Sequence, residues 1–138
     1  MNTRADNGYN PIRWDCKSQG CFAQNCRPRI EELAEALPGR MAFGDLDGMV
    51  EIGGNVLILE FKHPGSLIPK GQLTAYQKMT DANHITVFVI WGESATMRLE
   101  QLSIFYGGKQ TAPVPVNLNA LRNRISAWAN YAQRNRVA

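Results

Sequence analysis

The spacing of apolar residues changes along the chain, and each change of period marks an element. Residues 1–27 follow neither a helical nor an alternating pattern and read as an irregular arm anchored by Trp14 and Phe22. From Pro28, a residue that suits the first position of a helix, Ile30, Leu33, Ala34 and Leu37 recur at helical spacing until Pro38-Gly39 ends the pattern. An α-helix of about ten residues is predicted there. Residues 41–52 and 56–62 read as two strands around Gly53-Gly54-Asn55, a tight-turn signal, so together they form a hairpin. The second strand opens Val-Leu-Ile-Leu, apolar on both faces, as in the middle of a covered sheet. After a Gly/Pro loop over residues 63–71, residues 72–82 have helical composition, and ITVFVIW at 85–91 is a further buried strand. Residues 98–106 predict another strand, and residues 111–116, with two prolines, a connector or sheet edge. Leu118, Leu121, Ile125, Trp128 and Ala132 then trace one face of a closing helix. Helices alternating with strands predict an α/β fold, a mixed central sheet flanked by helices.

A length of 138 residues is the size of one domain. We read residues 28–138 as that domain and residues 1–27 as its Cys-containing arm. Apolar residues at 44% and charged residues at 20% exclude a disordered chain. No stretch approaches the ~18 consecutive apolar residues of a membrane span and the polar start lacks a signal peptide, so a soluble cytoplasmic protein with no membrane partner is expected. The net charge of +3 permits a polyanionic partner without demanding one. Its distribution is more telling, because Glu31, Glu32, Glu35, Asp45, Asp47, Glu51 and Glu60 gather in the middle while basic residues crowd the flanks. An acidic pocket in a basic frame is what a metal-dependent enzyme acting on phosphate esters needs.

The hairpin concentrates those acids. With Gly53 and Gly54 central in the turn, Ile52 faces Asn55 and opposed residues have numbers summing to 107. Asp47 then faces Glu60, Asp45 faces Lys62, and all four side chains share one face. A slip of one residue would undo the alignment. Charges at Glu60 and Lys62 are costly in an otherwise apolar strand unless paired or bound to metal. Carboxylate oxygens suit a hard cation such as Mg²⁺, which can acidify a water and take a phosphate oxygen, while an adjacent lysine offsets transition-state charge. A salt bridge at a sheet end is the structural alternative.

Gly44-Asp45-Leu46-Asp47, then Leu59-Glu60-Phe61-Lys62, then Gln72-Leu73-Thr74-Ala75-Tyr76 resemble, in type and order, the G-x-x-D, E-x-K and Q-x-x-x-Y elements of the PD-(D/E)XK nuclease superfamily in its RecB-like branch. The match covers residues 28–91. The resemblance implies a restriction-endonuclease-like αβββαβ core and a Mg²⁺- or Mn²⁺-dependent deoxyribonuclease acting on DNA, in recombination or repair. Asp47 and Glu60 would be metal ligands, the Phe61 carbonyl a third, and Lys62 the catalytic lysine, with Gln72 and Tyr76 supporting the site or touching DNA. Departures are the missing proline before the first acid, the competition of Asp45 with Asp47, and a first helix without histidine. That helix could instead supply a glutamate, as in small stand-alone junction resolvases and VRR-NUC nucleases, with Glu31 nearest the apolar stripe and Glu35 next. Similarity to those enzymes implies a structure-specific endonuclease for branched or Holliday-type DNA, acting as a homodimer. A RecB-like end-processing exonuclease, or a non-catalytic nucleic-acid-binding or inhibitor module on the same fold, are the alternatives.

Cys16, Cys21 and Cys26 are spaced five apart rather than C-x-x-C, so Zn²⁺ there would need a fourth ligand from Asp15, His63 or His84; reduced structural thiols are the simpler reading. Arg13, Lys17, Arg27, Arg29, Lys70, Lys78, Arg122 and Arg134 are candidates for phosphate contact, although scattered cations are usually solvated surface.

Overall fold

The computed structural model describes residues 29–44 and 46–137. The arm, with Trp14, Phe22 and the three cysteines, lies outside the described residues, as do Pro28 and Asp45. The chain divides into two compact units, Met1–Gly44 and Asp45–Ala138, a boundary later than the change of sequence pattern near residue 27.

In the first unit the expected ten-residue α-helix is a 3-10 helix, Ile30–Ala36, with no buried residue. Leu33 is 61% exposed and Ile30, Ala34 and Leu37 are only half-buried, so the apolar stripe is incompletely covered. Arg29 at the N-cap makes no side-chain capping bond, and seven residues are too few for an α-helix to persist without packing. Residues 41–44 form no strand.

The second unit is an α/β fold on a six-stranded mixed sheet. Its elements are β1 (Gly48–Ile52), β2 (Asn55–Lys62), α1 (Lys70–Thr80), β3 (Ile85–Glu93), β4 (Arg98–Tyr106), β5 (Lys109–Gln110), β6 (Val114–Pro115) and α2 (Leu118–Arg134). Strand order is β1-β2-β3-β4-β5, with β6 also paired to β4. Only β2 and β3 run parallel, joined by α1 as the crossover; the other pairs are antiparallel. The expected 41–52 strand is therefore only five residues long, and two strands rather than three stand between the first helix and α1 among the described residues.

Alternation along β2 separates two cores. Leu57, with Phe88, Ile90 and Leu102, packs under Leu121, Trp128 and Ala132 of α2. Ile58, with Val87, Val89, Trp91 and Phe105, packs under Tyr76 of α1. Glu60 and Lys62 share the parity of Ile58 and so belong to the α1 face.

The β1–β2 hairpin has the expected register, Ile52 opposite Asn55 through Gly48 opposite Leu59. Gly53 and Gly54 have φ of 59° and 88°, the left-handed values a two-residue hairpin turn requires. The turn is clamped from outside. Asn55, buried, donates through Nδ2 to the carbonyls of Ala132 (3.3 Å) and Asn135 (2.8 Å), and Val137 N–H donates to the Gly53 carbonyl at 2.7 Å. Asn55→Ala is expected to cost about 1–3 kcal/mol, because it leaves carbonyls at the end of α2 without their donor. Urea denaturation measures this, and an unchanged midpoint would show the clamp to be idle.

Candidate functional site

The C-terminal end of β2 is where the chain puts charge into the α1-side core. Glu60 is 5% exposed and lies beside Val89 in the parallel register, with Lys62 beside Trp91. Asp47 immediately precedes β1, at the position that continues the 107 register opposite Glu60. Its Oδ2 accepts the Phe61 N–H at 2.7 Å, so a side chain replaces the next rung of the ladder. The N–H and C=O of one strand residue point to the same side, which turns the Phe61 carbonyl toward the Asp47 side as well.

α1 closes the site from above. Gln72 and Tyr76 are one turn apart on the face packed against the sheet. Gln72 Oε1 accepts a hydrogen bond from Lys62 Nζ, which fixes the ammonium at the strand end. Tyr76 is 4% exposed and meets Phe105 edge to face, with ring centroids 5.3 Å apart. Burial pushes its phenol above the usual tyrosine range, reinforced by the charge of Glu60 and a hydrogen-bonding interaction with it, then by the charge of Asp47. That interaction is looser than strict hydrogen-bond geometry. The phenol remains protonated through neutral pH and can only act as a donor or dipole toward Glu60.

The loop from β2 to α1 is held by Trp91, whose Nε1 donates to the Ser66 carbonyl at 2.7 Å, and by Ser66 Oγ, which donates to the His63 carbonyl at 2.7 Å. A cavity of about 350 Å³ opens beside Lys62, lined by Phe61, Lys62, His63, Ser66, Leu67, Pro69 and Ser94. It lies at the carboxyl ends of the parallel strands β2 and β3, where open α/β sheets receive ligands.

The structure thus brings together Asp47, Glu60, Phe61, Lys62, Gln72 and Tyr76. Glu31 lies in the first unit, exposed on the 3-10 helix, as are Glu32 and Glu35; Glu32 pairs with Arg29 at 2.8 Å. Asp45, the competing acid, falls outside the described residues, as does the cysteine cluster with any Zn²⁺ it would hold. His63 lines the cavity and is exposed, while His84 contributes its carbonyl to Val56 N–H at 2.8 Å. Ser66 and Ser94 carried no sequence signal; Ser66 is placed by the Trp91 bond, and Ser94 lines the cavity from the turn after β3.

Among the described residues no group of three or more His, Cys, Asp or Glu gathers. Two carboxylates and a backbone carbonyl are nonetheless an all-oxygen donor set, and Mg²⁺ is commonly held by one or two carboxylates with water and substrate phosphate completing its shell. The donor chemistry fits a hard divalent cation.

No protein-family model matches the chain, and neither the curated proteins nor the solved structures contain a match to it. Among the described residues no helix is long and apolar enough to cross a membrane.

Proposed function

We propose that the chain is a divalent-metal-dependent nuclease that hydrolyses DNA phosphodiester bonds at the C-terminal end of β2, on a restriction-endonuclease-like core. One observation carries the reading: Asp47, bonded to Phe61 N–H, and Glu60 both act on the buried Tyr76, while Lys62 on the same strand is bonded to Gln72 of the same helix. A salt bridge built for stability alone would not call for the Gln72 partner on Lys62, nor for a carboxylate buried under a tyrosine. Mg²⁺ or Mn²⁺ bound by Asp47, Glu60 and the Phe61 carbonyl would supply an acidified water and a Lewis acid for the phosphate.

The chain's own groups do the rest. Phe61 N–H engages Asp47 Oδ2 and so fixes the carboxylate's orientation. Gln72 aims the Lys62 ammonium, which offsets the charge that grows on the phosphate in the transition state. Tyr76 keeps a protonated phenol against Glu60 and can act toward it as a donor or dipole. The substrate class is branched or Holliday-type DNA, in recombination or repair.

Incubation of the pure protein with supercoiled, single-stranded and four-way-junction DNA, with Mg²⁺, Mn²⁺ or EDTA, tests the reading. Metal-dependent cutting of the junction supports it. Trimming from ends favours an exonuclease, and binding without cutting under every metal rejects catalysis.

Gln72→Ala and Tyr76→Phe are expected to slow cleavage about 10- to 100-fold, the usual effect of groups that orient the residues doing chemistry, while Mn²⁺ affinity changes little. Paired measurements of cleavage rate and melting temperature decide it. If both variants cut at the wild-type rate, the two residues serve packing only.

A further inference from the structure

The acids end at Glu100: residues 1–100 carry twelve Asp and Glu against ten Lys and Arg, whereas residues 101–138 carry five cations, Lys109, Arg122, Arg124, Arg134 and Arg136, and no acid. All five are exposed and none forms an ion pair among the described residues. Three of them converge. At ~100° per residue, Arg124, Tyr131 and Arg134 fall within about 80° of the α2 surface, off the stripe of Leu121, Trp128 and Ala132 that is buried. Tyr131 approaches Tyr106 of β4, hydroxyl to hydroxyl at 3.4 Å, and Lys109 stands directly across from Tyr106 in the β4–β5 pairing. Tyr106 shares the parity of Leu102 and Ile104, so this surface is on the α2 side of the sheet, opposite Glu60 and Lys62. Asp81 at the end of α1 lies near Gly108, where an added Cβ would meet its Oδ1 at 3.1 Å, and it forms no ion pair with Lys109.

We infer that Lys109, Arg124 and Arg134, with the Tyr106–Tyr131 pair between them, form a binding surface for the phosphodiester backbone of a nucleic-acid strand, separate from the candidate site under α1. Unneutralised cations with a long reach attract any polyanion, and the tyrosine pair decides the class: its hydroxyls can donate to phosphate oxygens, and the two residues, 44% and 39% exposed, offer aromatic surface to bases. A membrane surface fits less well, because the apolar stripe of α2 is used up in the core and has nothing to insert. The surface and the reading proposed above stand apart, since one concerns binding on the α2 side and the other cleavage on the α1 side.

The test is binding of the full chain in EDTA to a fluorescent 30-nucleotide single strand and to its duplex, across a salt series. Lys109→Glu/Arg124→Glu/Arg134→Glu is expected to weaken binding about 100-fold at low salt and to lower the slope of log K against log salt by about 2–3 on the duplex, ~0.9 for each phosphate no longer neutralised. Arg40→Glu/Arg98→Glu/Arg136→Glu makes the same change of net charge with the inferred surface left intact, and is expected to weaken binding less than 10-fold with a slope reduced by at most about 1. Equal losses in the two triple variants would reduce the surface to general charge and overturn the proposal. So would wild-type affinity in the first variant, or phosphatidylserine-containing vesicles that displace the oligonucleotide from the wild type. Because metal is absent and no cutting is read, failure here leaves the cleavage reading untouched, and the reverse.

Discussion

Lys62→Ala is expected to reduce DNA cleavage about 100- to 1,000-fold, the range found when one preorganised donor to a developing anion is removed, with a melting temperature close to wild type. The two halves of this expectation have different sources. Lys62 is half-buried at a strand end and bonded to Gln72, so its removal frees one amide oxygen that water can reach, a loss of about 1 kcal/mol or less. Lys62 shares its strand face with Glu60, and in the proposed reaction its charge opposes the negative charge of a phosphate in transit. Lys62→Arg sharpens the test. Its charge survives, but the planar fork cannot take the ammonium's place on Gln72, so activity is expected to stay well below wild type. Single-turnover cleavage of a junction substrate together with thermal denaturation measures both halves. A folded Lys62→Ala protein that cuts at the wild-type rate would remove Lys62 from the chemistry.

The part of this site that is legible in the sequence is the part governed by short-range geometry. Gly53-Gly54 determines the turn, the turn determines the register, and the register puts Asp47 across from Glu60 with Lys62 on the same face; each step rests on backbone geometry alone. The same holds for α2, whose buried residues Leu121, Trp128 and Ala132 are the stripe expected from period, and for β4, whose limits are those read from the sequence. What escaped depends on competition between side chain and main chain. The strand expected from residue 41 begins only at Gly48, because Asp47 takes the Phe61 N–H with its carboxylate and ends the backbone ladder there. The first helix departs from expectation for a related reason: its apolar spacing is helical, but a stripe stabilises an α-helix only when it is covered, and Leu33 remains exposed. The short edges β5 and β6 pair through two residues each, too few to leave a periodic trace. The Ser66 loop hangs on one indole bond from Trp91, a residue 25 positions away that reads as core.

Asp47→Asn and Glu60→Gln are expected to fail in a different way from Lys62→Ala, by losing the metal as well as the cleavage. Each substitution is nearly isosteric and keeps an oxygen, so packing persists; in Asp47→Asn the new amide oxygen can still accept from Phe61 N–H. What goes is the negative charge that a hard divalent cation requires. Removing a ligand's charge is expected to cost at least about 10-fold in Mn²⁺ affinity and at least about 100-fold in cleavage. The metal effect can be read without any DNA. A cation that binds only the folded protein raises its stability by mass action, about 2.7 kcal/mol at 100 times Kd, which in a unit of this size is a rise on the order of 10 °C in melting temperature. Wild type and Lys62→Ala are expected to show that rise, and Asp47→Asn and Glu60→Gln, at the same Mn²⁺ concentration, to show about half of it or less. This pattern separates ligands from the lysine, and both from Gln72 and Tyr76, whose variants keep the full rise while cutting slowly. Calorimetric titration giving the wild-type Mn²⁺ affinity in both carboxylate variants would dismiss Asp47 and Glu60 as ligands and leave the cluster as a buried charge arrangement that serves the fold.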